Sequence, residues 1–221
     1  MEGKFFEPFK PLLLTYFDRK GEFTKDYVEG SALQWRWGAP YDAEGMIALF
    51  KSSDYFVEEL NNFFAKSDPA MGRWNPSPYY WHGNQPDIHA AYLFNDAGRP
   101  DRTQKWVRWI LDHKYGDGYD GLDGNDDGGT LSAWYVLSAL GLYPVAGSDK
   151  YQLGAPLFEK AEVRLKGQPL LIVAENYSPE KSYVQKVWLN DKPLDRTWIK
   201  HSEIQDGGVL RFEMSAEPVR L

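Results

Sequence analysis

The acidic stretch GLDGNDDGG at residues 121–129 carries the densest group of side chains that could do chemistry. Adjacent carboxylates just before a helix can bind calcium, act as a general base or form a solvated turn that caps the helix. An EF-hand is excluded, because the twelfth position counted from Asp123 is Trp134 rather than an acidic residue. The pattern alone leaves open whether this loop is a chemical site or a capping turn.

A second group of polar side chains is the segment HGNQPDIH at residues 82–89. A zinc site would favour both histidines on one helical face, typically four positions apart, and Pro86 separates them. Hydrogen bonding to a polyol, or ligation of calcium through oxygen, suits the Asn, Gln and Asp side chains better. The alternative is a structural turn with a buried histidine.

A third candidate is Glu29, which lies among aromatic residues in the segment YVEGSALQWRW. A carboxyl group in apolar surroundings has a raised pKa and can act as a general acid at neutral pH, although a carboxylate at a helix start is the simpler interpretation. Glycoside hydrolysis needs two carboxyl groups, which lie about 6.5–9.5 Å apart in inverting enzymes. Glu29 and Asp127 could form such a pair only if the tertiary fold brings them together.

The elements that must position these groups are helices in the first two thirds of the chain. Apolar residues recur with helical spacing after Ser52 or Ser53, after Pro86, over 101–115 and again from about residue 131. We expect the second of these helices to end near Gly98 and the last to end at Gly141. Two long loops, at 71–86 and 116–129, run directly into helices, whose first N–H groups are free to bind oxygens.

The remainder of the chain is typical of β structure. Short apolar runs alternate with turn signals around 163–165, 170–174, 184–189 and 209–214, and residues 190–193 read as a turn. The sequence therefore predicts a mainly α fold in residues 1–146 and a small β-strand region in residues 147–221.

Composition excludes several classes of function. The net charge of −7 argues against a nucleic-acid partner, and the absence of cysteine excludes disulfides and thiolate chemistry. The sequence contains no run of 18 apolar residues and so predicts no membrane span. The first ten residues lack the apolar core of a signal peptide. Aromatic residues make up 16% of the chain. Most should fill the core, while some could stack on sugar faces.

Three longer segments resemble characteristic segments of glycoside hydrolase family 92. They are YVEGSALQWRW at 27–37, HGNQPDIHAAYLFNDAGRPDRTQKWVR at 82–108 and DGLDGNDDGGTLSAWYVLSALGLYPV at 120–145. The resemblance implies a calcium-dependent, exo-acting, inverting α-mannosidase, with many such enzymes specific for α-1,2 linkages. It also implies that the helices are part of an (α/α)6 toroid, followed here by a short antiparallel β segment.

The resemblance also implies roles for individual residues. Glu29 resembles the general acid, and Asp127 resembles the base that activates water, supported by Asn125 and Asp126. The turn around HGNQPDIH resembles part of the subsite that holds the terminal mannose and the calcium. The substrate-binding residues expected from the resemblance are Trp35, Trp81, His82, Asn84, Gln85, Asp87 and His89. The calcium ligands are not assigned, although the region of Gln85 is a candidate.

Gln85 is where the chain departs from the family pattern, which mostly reads GNEPD at this point. Glutamine keeps an acceptor and adds a donor, but it has no charge and cannot titrate. Some relatives with glutamine at the acid position cleave mannose from phosphate, so a mannose-1-phosphate diester is an alternative substrate. A non-catalytic carbohydrate-binding remnant is a further alternative.

The second departure is length, because 221 residues are far fewer than a family chain contains. We expect the chain to be a fragment that begins inside the toroid and lacks the N-terminal β-sandwich, so its partners would be that missing part and a mannose-containing glycan. Apolar faces of the incomplete ring would then favour poor solubility or association. For the full-length enzyme we expect an extracellular or periplasmic location.

Overall fold

The computed structural model describes residue 27, residues 30–72 and residues 77–219. Its N-terminal part is helical, and two 3-10 turns, Pro40–Asp42 and Ala90–Tyr92, connect some of the helices. The helices are α1 (Ala32–Trp35), α2 (Ala43–Ala48), α3 (Ser53–Ala65), α4 (Gln85–Ile88), α5 (Leu93–Asp96), α6 (Pro100–His113) and α7 (Thr130–Ala139).

The helix predicted after Ser52 is confirmed as α3. The Ser52 hydroxyl caps it by accepting the N–H of Tyr55 at 3.1 Å. The buried side of α3 carries Phe56, Val57, Leu60, Phe63 and Phe64, as the helical spacing predicted. These side chains form the centre of an aromatic core together with Trp37, Tyr80, Phe94 and Trp106.

The helix predicted between Pro86 and Gly98 is interrupted. Helix α4 ends at Ile88, a 3-10 turn follows, and α5 resumes at Leu93. All five residues from Ala90 to Phe94 are buried, so this segment is enclosed on every side rather than along one face. Local apolar spacing could not distinguish such a buried, irregular segment from one regular helix.

The strands of the described chain form two sheets. The first has the order β1-β2-β7, with β1 at Leu142–Pro144, β2 at Lys150–Leu153 and β7 at Trp198–Lys200. The second has the order β3-β4-β8-β5-β6. Its strands are β3 (Lys160–Val163), β4 (Leu170–Glu175), β5 (Tyr183–Leu189), β6 (Lys192–Leu194) and β8 (Gly208–Ser215), and the short helix α8 (His201–Ile204) precedes β8.

The expectation of a short antiparallel β segment is wrong for one strand pair. Strand β8 pairs with β5 in the antiparallel direction but with β4 in the parallel direction. The chain returns through β7 and α8 to enter between β4 and β5, and no local turn signal reveals this long-range insertion. The predicted turn after β5 is a two-residue hairpin, in which Asn190 and Asp191 have φ values of 50° and 63°.

Side-chain amides connect the helical and β parts. Asn95 of α5 donates to the carbonyl of Leu153 at 2.9 Å and to the side chain of Gln152 at 3.0 Å. Gln104 of α6 accepts the backbone N–H of Val184 at 3.1 Å. In addition, β1 pairs with β2, and these two strands lie on either side of residue 147, where the β region was predicted to begin. Among the described residues, no helix is both long and apolar enough to cross a membrane.

Candidate active site

The two polar loops predicted to carry chemistry lie against each other. A Cβ atom on Gly83 would lie 2.2 Å from the carbonyl oxygen of Asp123, and one on Gly124 would lie 2.8 Å from the Cα of Gly83. The indole N–H of Trp81 also donates to the Asp123 carbonyl at 3.1 Å. Glycine at both positions therefore allows the two backbones to touch, and this contact brings residues 82–89 to the acidic loop.

Asp127 lies at the exposed end of this junction. It has a φ of 48°, and Gly128 and Gly129 follow with φ values of 70° and 100°. Aspartate tolerates this left-handed region better than most residues, and glycine enters it without strain. The amide of Gln85 donates to the Asp127 carboxylate, whose other oxygen has no hydrogen bond to any residue that the structure describes. The carboxylate is thus held by one neutral donor and remains accessible to solvent.

The neighbouring Asp126 has a different role. Its two carboxylate oxygens accept the backbone N–H and the hydroxyl of Ser132, at 2.9 and 3.0 Å. The first of these bonds satisfies a free N–H in the first turn of α7, so Asp126 caps this helix from a position before Gly129. Asn125 is exposed on the same loop and lies beside Gln85 and Asp127. The acidic loop therefore combines a capping carboxylate with a second carboxylate that is free for chemistry.

His82 is fully buried below this junction and is neutral. Its two ring nitrogens lie 2.6 Å from the hydroxyls of Tyr80 and Tyr115. Tyr115 donates its own proton to the carbonyl of Leu131 at 2.9 Å, so Nε2 of His82 must donate to Tyr115 and Nδ1 must accept from Tyr80. Burial, together with the charge of Lys114, lowers the pKa of His82 to about 3.

The other polar residues of this turn hold the backbone. Asn84 caps α4 by accepting the N–H of Gln85 at 3.0 Å. Asp87 accepts the N–H of Trp81 at 2.9 Å, and burial raises the pKa of this carboxyl group well above its usual range. His89 donates through Nε2 to the carbonyl of Trp37 at 2.6 Å, and burial lowers its pKa. Among the polar residues at 82–89, Gln85 is the one whose side chain is exposed at the junction.

Segment 30–37 docks next to these loops. Ser31 caps α1 and donates its hydroxyl to the carbonyl of Pro78 at 2.7 Å, while Gln34 donates to the carbonyl of Tyr79 at 2.9 Å. Trp35 is 42% exposed beside Gly30, where an added Cβ would lie 3.0 Å from its indole nitrogen. Glu29 lies outside the described residues, but its neighbour Gly30 belongs to this docked segment.

Two residues that the sequence did not single out for a role, Lys114 and Asp123, support the junction from inside. Lys114 is 0% exposed and Asp123 is 1% exposed, and Nζ lies 3.2 Å from the Asp123 carboxylate. A lysine that follows the last turn of a helix is usually a solvated residue that interacts favourably with the helix dipole, so its sequence position gave no signal. Asp123 was counted with the acidic loop, although its side chain points inward.

An open cavity of about 690 Å³ lies next to Gly124 and Asp123 of the acidic loop. Its walls include the indole of Trp81, the exposed ring of Tyr119 and the amide of Asn125. Aromatic and polar groups of this kind are common in ligand pockets. No group of three or more His, Asp or Glu side chains converges on a metal position anywhere in the described ranges.

Known proteins are similar to this chain in both sequence and fold. The model of the glycosyl hydrolase family 92 catalytic domain matches residues 1–216. An uncharacterized secreted glycosidase of Arthroderma benhamiae is 28% identical over 182 residues, which are 80% of this chain and 22% of that protein.

Two solved structures from Bacteroides thetaiotaomicron are similar as well. The family GH92 alpha-mannosidase BT3965 is 37% identical with a TM-score of 0.77, and the match covers 90% of this chain and 28% of the other. The family GH92 inverting mannosidase BT2199 is 32% identical with a TM-score of 0.77, over 89% of this chain and 29% of the other. A further structure of BT3965 contains mannoimidazole. The chain thus spans less than a third of the length of these relatives, and it belongs to glycosyl hydrolase family 92.

Proposed function

We propose that the protein hydrolyses terminal α-mannosides with inversion, with Asp127 as the general base and Glu29 as the general acid. The observation that carries this proposal is the placement of Asp127. Its carboxylate is exposed, it meets Gln85 of the turn at 82–89, and it follows a capping residue that leaves it free for chemistry. The relatives named as mannosidases, one of them inverting, support the choice of substrate and of stereochemistry.

The base would act by taking a proton from water as that water attacks the anomeric carbon. This role needs a carboxylate that water can reach, and the amide of Gln85 holds the Asp127 carboxylate in place by donating a hydrogen bond to it. Asn125 lies beside the carboxylate and could orient the water. Glu29 would protonate the leaving oxygen from the opposite side, as an inverting reaction requires.

The side chains at this junction offer oxygen atoms, the kind of ligand that suits calcium. Calcium prefers oxygen ligands, and Gln85, Asn125 and Asp127 supply amide and carboxylate oxygens there. Because Nε2 of Gln85 faces Asp127, its carbonyl oxygen remains an acceptor. These three residues would supply part of the shell, and sugar hydroxyls and water the rest. When bound, calcium would supply positive charge that helps these residues to hold the hydroxyl groups of the sugar.

Four finer features belong to the same proposal. We propose that the helices at 32–139 are part of an (α/α)6 toroid and that the preferred linkage is α-1,2. The alpha-mannosidase BT3965 is about three times as long as this chain, so we propose that an N-terminal β-sandwich completes the pocket. An extracellular or periplasmic location fits the secreted relative from Arthroderma benhamiae.

The test is mannose release by the protein purified as its gene encodes it. We expect α-1,2-mannobiose to be cleaved faster than the α-1,3 and α-1,6 isomers, and proton NMR to detect β-mannose first. Asp127→Asn keeps the left-handed backbone and should lose activity by about a thousandfold or more, while Asp117→Asn in the same loop should retain it. Full activity of Asp127→Asn on an ordinary mannoside would refute the assignment of Asp127 as the general base.

The acid is tested separately with the leaving group. Glu29→Gln should lose activity on mannobiose but keep it on a mannoside whose leaving group needs no proton. A wild-type protein that cleaves a mannose-1-phosphate diester and leaves mannobiose intact would instead support the mannosyl-phosphate alternative. Binding of mannobiose without cleavage of either substrate would support the carbohydrate-binding remnant.

A further inference from the structure

Lys114 occupies an internal cation position beneath the candidate active site. Its Nζ lies 2.8 Å from the carbonyl oxygen of Asp68, 3.0 Å from that of Ala70 and 3.2 Å from the carboxylate of Asp123. Two backbone carbonyls and one carboxylate thus surround an ammonium that is closed off from solvent. A lysine is almost never fully buried unless its charge is compensated in this way.

Asp123 joins this cation to the surrounding backbone. One carboxylate oxygen pairs with Lys114, and the other accepts the N–H of Gly72 at 3.1 Å. Lys114 and Asp123 together therefore connect three separate parts of the chain, which are the end of α6, residues 68–72 and the acidic loop.

The connection continues to the candidate base. The backbone carbonyl of Asp123 accepts the indole N–H of Trp81 at 3.1 Å, and the same carbonyl lies against Gly83. Two residues beyond Gly83, the side chain of Gln85 donates to Asp127. The position of the Asp127 carboxylate relative to the turn at 82–89 therefore depends on where Asp123 is fixed.

Stability alone does not explain a lysine at this position. Apolar residues of similar volume commonly replace buried ion pairs without loss of stability, whereas a charged pair with several hydrogen bonds can favour one arrangement over others. We propose that Lys114 is a positioning residue for the reaction, which fixes the acidic loop through Asp123 and thereby holds Asp127 towards Gln85. This inference rests on the proposed role of Asp127 as the general base.

The first test measures the fixation of the loop without using activity. The indole N–H signal of Trp81 is assigned in nitrogen–proton NMR spectra with Trp81→Phe, and its exchange with solvent is measured. Lys114→Met removes the ammonium, and Lys105→Met on the exposed side of the same helix is the matched control. We expect exchange at least tenfold faster in Lys114→Met and unchanged in Lys105→Met. Unchanged exchange in Lys114→Met would overturn the inference.

The second test measures positioning in the reaction. In Lys114→Met we expect kcat for α-1,2-mannobiose to fall at least tenfold while KM changes less than threefold, because the loss concerns the base rather than sugar binding. Faster indole exchange with an unchanged kcat would overturn the positioning role. If Lys114→Met does not fold, the same two measurements are made on Asp123→Asn, which removes the charge of Asp123 but keeps its backbone carbonyl and side-chain size. The same expected and contrary results then apply to this variant. An inactive wild-type protein would refute the proposed function, while the indole exchange would still report on the loop.

Discussion

The buried, neutral His82 makes a specific prediction about stability and pH. Burial, together with the charge of Lys114, lowers its pKa to about 3 in the folded protein, whereas an unfolded histidine has a pKa of about 6.5. As the pH falls below about 6.5, His82 binds a proton in the unfolded chain but not in the folded protein. Stability is therefore lost as the pH falls from about 6.5 towards 3.

The magnitude follows from proton linkage at a single site. Between pH 7 and pH 5, a group with these two pKa values lowers the free energy of unfolding by roughly 2 kcal/mol. For a chain of this length, that corresponds to a fall in Tm of about 4–8 °C.

The assay is urea unfolding at pH 7 and pH 5, followed by tryptophan fluorescence, for the wild type and for His82→Gln. Glutamine can donate to Tyr115 and accept from Tyr80 but cannot titrate. From pH 7 to pH 5 we expect the free energy of unfolding to fall by about 2 kcal/mol more in the wild type than in His82→Gln. His113→Gln, at an exposed histidine, should behave like the wild type. Equal losses in the wild type and His82→Gln would mean that folded His82 accepts a proton, which would refute the buried neutral tautomer.

Three further predictions concern the junction. Lys114→Met should lower the free energy of unfolding by about 3–5 kcal/mol in urea titrations, because it leaves the Asp123 carboxylate buried without its partner, and a loss near zero would contradict this account. Gly83→Ala should cost about 2 kcal/mol in the same assay, because its Cβ would clash with the acidic loop, whereas Gly118→Ala has open space and should be neutral. Gln85→Ala should lower kcat about fivefold, which corresponds to the loss of about 1 kcal/mol from a solvent-exposed hydrogen bond to Asp127, the proposed base. An unchanged kcat would mean that Gln85 does not support Asp127.

The helical part was the most predictable, because its signals are local. The serine cap and the apolar spacing of α3 lie within thirteen residues, and the glycine at 141 adopts the positive φ expected after a helix. Strands β4, β5 and β8 were likewise expected from their apolar runs. The parallel pairing of β4 with β8 could not be expected, because it depends on a return of the chain over more than thirty residues.

The residue types of the candidate site could be predicted from the sequence. Which side chains are exposed to a ligand and which make hydrogen bonds within the protein could not. The family resemblance implied that His82, Asn84, Asp87 and His89 bind substrate. In the structure the side chain of each of them makes a hydrogen bond within the protein, to the backbone or to a core side chain. Burial decides this, and burial depends on segments distant in sequence. Lys114 was missed for the same reason, because its partners at 68–70 and 123 come together only in the folded chain.

The central position of strand β8 has a consequence for biosynthesis. Until Gly208–Ser215 has been translated, the second sheet consists of two separate pairs, β3 with β4 and β5 with β6. Isolated two-stranded pairs are marginally stable in water. A stop codon or frameshift before codon 208 would therefore leave the β region unable to assemble and its apolar strands accessible to proteases, so this sheet links folding to translation of the chain through at least Ser215.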